Sequence, residues 1–110
     1  MTPLDYKPIS GKQFPEWLNK LRNLSGAYVI RSKRSHDVLY VGESHTGNLA
    51  KTIKRHFHRW SDDPIRDHFT ADRDDVEIAI RLTPPGSAAG AQDNLILRLS
   101  PKHNKNGVPF

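Results

Sequence analysis

The sequence predicts an α+β domain with a small, mainly antiparallel sheet. Three observations carry this reading. Two short β-type runs, residues 27–30 and 38–41, flank a polar stretch and read as a hairpin. Residues 76–82 alternate apolar and polar side chains, the pattern of a strand with one wet face. Three further stretches carry apolar residues at helical spacing, which gives the order α-β-β-α-β-α.

Residues 1–10 hold Pro3 and Pro8, show no period and read as an arm. From Gly11 to Leu24, Phe14, Trp17, Leu18 and Leu21 recur at helical spacing. Pro15 sits near the first turn, where its missing N–H costs nothing. Ser25-Gly26 closes that helix, and the first strand follows. Residues 31–37 form the turn, and Gly42 ends the second strand. Asn48 is suited to cap a helix running to about Trp60, with Leu49, Ile53, Phe57 and Trp60 as its apolar stripe. Residues 62–74 form an acidic connector to the strand at 76–82. Thr83-Pro84-Pro85-Gly86 is a turn, Ser87 a candidate cap, and a last helix runs through Leu99 until Pro101 stops it.

The chain has 110 residues, which suits one compact domain: an arm and helix over 1–25, then the main body over 26–110. Its apolar content is only 35 %, with a mean hydropathy of −0.69, but the apolar residues cluster and support a folded core. With no cysteine, disulfides, thiolate metal sites and thiol catalysis are excluded. No apolar run reaches the ~18 residues of a membrane span. The N-terminus lacks a signal-peptide pattern, so a cytoplasmic protein without membrane contact is expected.

The net charge is +5, from 17 Lys+Arg and 12 Asp+Glu, and it is unevenly spread. Residues 61–77 hold seven acids and two bases, leaving 15 bases against 5 acids, or +10, for the remainder. A basic body with an acidic loop suits a polyanion such as nucleic acid.

Several residues are candidates for chemistry. Tyr28 and Tyr40 lie on the two hairpin strands, 12 residues apart. Gly42, just after the second strand, allows a ligand to approach the backbone closely. On the helix from Asn48, Lys51, Lys54, Arg55 and His58 lie opposite the apolar stripe, with Thr52, His56 and Arg59 on the flank. Lys51 and Arg59 on this basic helix, together with Gly42, are candidates to meet phosphate. On the last helix Gln92 falls on the face of Leu95, Ile96 and Leu99, so it points inward, whereas Asp93 is turned away. A polar side chain on a core face is either hydrogen-bonded for structure or part of a site. Pro101-Lys102-His103-Asn104 adds a second amide near that helix's end. The histidines form no H-x-x-x-H zinc pair.

Together these segments resemble the GIY-YIG nuclease family. The resemblance rests on Gly26-Ala27-Tyr28-Val29-Ile30, Leu39-Tyr40-Val41-Gly42, Lys54-Arg55-His56-Phe57, Asn94-Leu95-Ile96 and Pro101-Lys102-His103-Asn104, in that order. It implies a three-stranded antiparallel sheet flanked by helices and a metal-dependent endonuclease that hydrolyses phosphodiester bonds in DNA. Tyr28 and Tyr40 would then flank the attacking water. Arg55 would neutralise the phosphate, His56 would hold the attacking or leaving group, and Asn104 would brace the site. One divalent cation, usually Mg2+, would sit at a glutamate of the last helix. Those residue types suit the reaction, which needs an activated water and neutralised phosphoryl oxygens.

The chain departs from the family at two positions. The glutamate slot holds Gln92, a neutral amide and a poor sole anchor for magnesium. Either Asp93 or Glu43 supplies the missing carboxylate, or the domain is an inactive module that binds nucleic acid or a protein without cutting. The family also spaces its arginine four residues before its histidine, which puts Thr52 in the arginine slot if His56 is the histidine. Arg55 is close enough round the helix to substitute.

Overall fold

A computed structural model describes residues 4–11, 13–57 and 72–102. The α+β class is as expected, but the sheet has four antiparallel strands rather than three, in the order β1-β4-β2-β3. The extra strand, β1 (Lys7–Pro8), belongs to the arm and pairs with β4 (Val76–Leu82). Pro8 is tolerated because β1 lies on the sheet edge, where an absent N–H breaks no central ladder. Ile9 then turns fully into the core, and the Trp17 indole N–H donates to the Pro8 carbonyl at 3.2 Å.

The hairpin strands are longer than their apolar runs. β2 is Gly26–Ser32 and β3 is Val38–Ser44. Their polar ends pair through backbone groups, which needs no apolar side chain. β2 is central, bonded to β3 on one side and β4 on the other. Gly26 is needed there, because a Cβ would lie 3.0 Å from Leu82 Cα and closer still to the Arg81 carbonyl oxygen. β4 covers the expected residues, its alternation dividing Ile78 and Ala79 between the two faces.

The helices differ more from expectation. Helix α1 is a single turn, Glu16–Asn19. Beyond it the chain continues in tight i→i+3 turns, with Leu21 N–H on Leu18 O, Arg22 N–H on Asn19 O and Leu24 N–H on Leu21 O. The Leu24 carbonyl then accepts from Leu49 N–H at 3.1 Å, and Arg22 bridges to Asn48. The apolar spacing is kept, but those backbone groups serve the next helix rather than their own.

Helix α2 (Leu49–Lys54) is shorter than expected and tightens into a 3₁₀ turn over Arg55–Phe57. Asn48 caps it, its side-chain oxygen accepting from Lys51 N–H at 3.3 Å. Helix α3 (Ala88–Leu99) matches the expected span, preceded by a 3₁₀ turn at Pro85–Ser87. Ser87 makes no side-chain cap bond, contrary to expectation, because that turn already supplies the helix start. Ser100 in the left-handed region ends α3 ahead of Pro101.

Two apolar layers cover the two sheet faces. One holds Ile9, Leu18, Leu21, Tyr28, Ile30, Leu49, Ile53 and Ile78, under α1 and α2. The other holds Ala27, Val29, Val41, Ala79, Leu95 and Ile96, under α3. The arm and α1 therefore share the core of the main body. Among the described residues no helix is long and apolar enough to cross a membrane.

Candidate active site

Strand register sets the site. Tyr28 lies opposite Gly42, and Ile30 lies opposite Tyr40. Both phenols project on the α2 side of the sheet, where they pack with the same core. Their rings are 6.3 Å apart, and the His56 ring lies 5.5 Å from Tyr28 and 4.8 Å from Tyr40. Three elements thus bring two phenols and an imidazole together.

His56 was expected on the helix flank and is instead buried, with 2 % exposure. The cause is the change to 3₁₀ winding, in which residues three apart eclipse. His56 turns toward the row of buried Ile53 and meets Tyr28. The Tyr28 Oη to His56 Nε2 separation is 2.5 Å.

Burial pushes the Tyr28 phenol well above its usual value of 10.0, with the charges of Tyr40 and Glu43 adding and that of Arg55 opposing. Tyr28 therefore keeps its proton, and the direction of its bond to Nε2 follows the imidazole tautomer. Burial, and after it Glu43, also raises the Tyr40 phenol. Tyr40 is half-buried, whereas Tyr28 is sealed, so only Tyr40 offers its phenol to solvent.

Gly42 has a different role from the expected one. A Cβ there would lie 2.9 Å from Tyr28 Cε1 and closer still to Cζ and Oη. The space its missing side chain leaves is filled by Tyr28, so its lack of a Cβ admits the phenol.

The remaining candidates divide by face. Glu43 pairs with Ala27 and so emerges on the α3 side. Its side chain is 18 % exposed and contacts His45 Nδ1 at 3.2 Å. Its charge nevertheless raises both phenols. Gln92 is half-buried on α3, on the same side of the sheet as Glu43. It is thus separated by the sheet from the phenol cluster, which corrects the expectation of one hollow shared by all these groups. Asp93 is exposed.

Arg55 is half-buried beside His56, and Lys51 is exposed. Thr52, in the arginine slot, bonds the Asn48 carbonyl through its hydroxyl at 3.2 Å. Arg59 and Asn104 lie outside the described residues. Among the described residues no group of three or more His, Cys, Asp or Glu side chains is arranged to hold a metal ion.

Sequence reasoning missed two features: the Tyr28–His56 bond and the filling of Gly42 by Tyr28. A signal for the second was present, since a glycine facing a large residue across a hairpin makes room for it. No family model and no curated protein matches this chain.

Proposed function

We propose that this domain is a metal-dependent endonuclease that hydrolyses phosphodiester bonds in DNA, the activity its resemblance to the GIY-YIG family implies. The observation that most supports this is the meeting of Tyr28, Tyr40 and His56 beside Arg55, within reach of the Glu43 charge. Tyr40 is the phenol open to solvent, and its hydroxyl orients the attacking water. Tyr28 acts through His56, fixing its ring by their hydrogen bond. His56 in turn backs Tyr40. Arg55 meets the scissile phosphate with its planar donor fork. Asn104, outside the described residues, takes the bracing role that the resemblance implies.

The donor chemistry fits a hard divalent cation such as Mg2+ through Glu43 rather than Gln92. Magnesium keeps several waters and needs one or two carboxylates, and Glu43 is the carboxylate whose charge acts on both phenols. A neutral amide at Gln92 adds at most a carbonyl oxygen. When bound, the cation supplies charge neutralisation at the phosphoryl oxygens.

The test is nicking of supercoiled plasmid with and without Mg2+, beside Tyr40→Phe. Cutting that needs Mg2+ and is lost in Tyr40→Phe supports the reading. No cutting over a range of divalent cations, with DNA still bound, supports the second reading: a GIY-YIG-like module that binds without cleaving. That alternative draws on the neutral Gln92 in the metal slot.

A further inference from the structure

An open basin lies between the loop after α1 and the first turns of α2. It is lined by Arg22, Asn23, Asn48, Lys51, Lys54 and Arg55, with Ala50 at its floor. Among the described residues, four cations and two amides line it, with no carboxylate. Among the described residues, no acid pairs with Arg22 or Lys51, both exposed.

The basin is built rather than incidental. The Arg22–Asn48 bridge and the Leu49 N–H to Leu24 carbonyl bond fix its two walls to each other. Lys54 is held at the rim by Asn19 Oδ1 at 2.7 Å and by the Phe14 ring at 5.3 Å. Cationic side chains gathered on one hollow create a positive potential that attracts an anion. A second open pocket among the described residues, at the hairpin turn, balances Lys33 and Arg34 with Asp74 and Asp75.

Arg55 belongs to both places. It lines the basin, and its charge acts on Tyr28. We infer that the basin is a second phosphate site, taking a backbone phosphate of the nucleic-acid strand next to the one at Tyr40. The strand then passes from the β3 edge across Arg55 to Arg22 and Lys51. The inference rests on the nuclease reading only for the identity of the polyanion.

The test is binding of a fluorescent duplex oligonucleotide, without divalent cation, over a range of salt concentrations. It compares the wild type with Arg22→Gln/Lys51→Gln and with a control of equal charge, Lys33→Gln/Arg34→Gln. Each phosphate contact contributes about 0.9 to the slope of log affinity on log salt. The basin pair should lower the slope by about 1 and the affinity roughly tenfold, and the control should change neither. Single variants Arg22→Gln and Lys51→Gln stand in if the pair does not melt like the wild type. An unchanged slope in the basin variant, an equal fall in the control, or no binding by the wild type overturns the inference. A wild type that binds with this behaviour but never cuts removes the nuclease reading and keeps the basin. One that cuts while the basin variant binds normally does the reverse.

Discussion

Replacing Gly42 with alanine is a sharp probe of the site. The added Cβ would lie 2.9 Å from Tyr28 Cε1 and nearer to Cζ and Oη, so the ring must move. Tyr28 is buried at 2 % exposure, and the strands on either side of it are paired. Overpacking of this kind costs about 1–3 kcal/mol. Moving the ring also breaks its bond to His56, which adds about 0.5–1.5 kcal/mol. Gly42→Ala should therefore destabilise the fold by about 1.5–4.5 kcal/mol. For a domain of this size, that lowers Tm by on the order of 10–20 °C. Urea unfolding followed by circular dichroism reads the change directly. A double-mutant cycle isolates the cause, because in a Tyr28→Ala background the clash is gone and Gly42→Ala should cost under about 0.5 kcal/mol. Two results would refute the reasoning: Gly42→Ala as stable as the wild type, or an equal loss in both backgrounds. Normal stability with weakened DNA binding would return Gly42 to the phosphate role first expected of it.

Tyr28→Phe keeps the ring but leaves the buried His56 Nε2 without its hydrogen-bond partner, at a cost of about 1–3 kcal/mol in thermal or urea melts. The same variant should change alkaline stability. The Tyr28 phenol is raised above 10.0 when folded, so the unfolded chain loses that proton first and stability falls as pH rises past 10. A flatter loss of stability above pH 10 is expected for Tyr28→Phe, and an identical pH profile would show that Tyr28 is not the group responsible. Glu43→Gln removes a negative charge that raises Tyr40, so the Tyr40 phenol should titrate lower in ultraviolet difference spectra; no shift would separate Glu43 from the phenols. Arg55→Ala should weaken retention of DNA at low salt, and unaltered binding would remove that helix from the interface.

Much of the fold is legible in the sequence where side-chain pattern alone decides it. The alternation at 76–82 and the apolar spacing at 88–99 correspond to β4 and α3. Asn48 caps its helix as its residue type suggests. What was not legible depends on tertiary partners. Nothing local marks Lys7–Pro8 as a strand, since its pairing comes from β4, some 70 residues away. Helix α1 is cut short because Arg22 and Leu24 give their backbone groups to the start of α2. The site divides in the same way. Both tyrosines were readable from their strands, but the burial of His56 follows from a switch to 3₁₀ winding that its residue types do not announce. The alternation of β3, once its register is known, sends Glu43 to the face on which α3 and Gln92 pack.

The most direct test concerns which carboxylate serves the site. Single-turnover cleavage of a duplex oligonucleotide in Mg2+ compares the wild type with Glu43→Gln and Asp93→Asn. Loss of cutting in Glu43→Gln alone, with DNA binding retained, is the predicted result. Wild-type cleavage by Glu43→Gln would contradict the account.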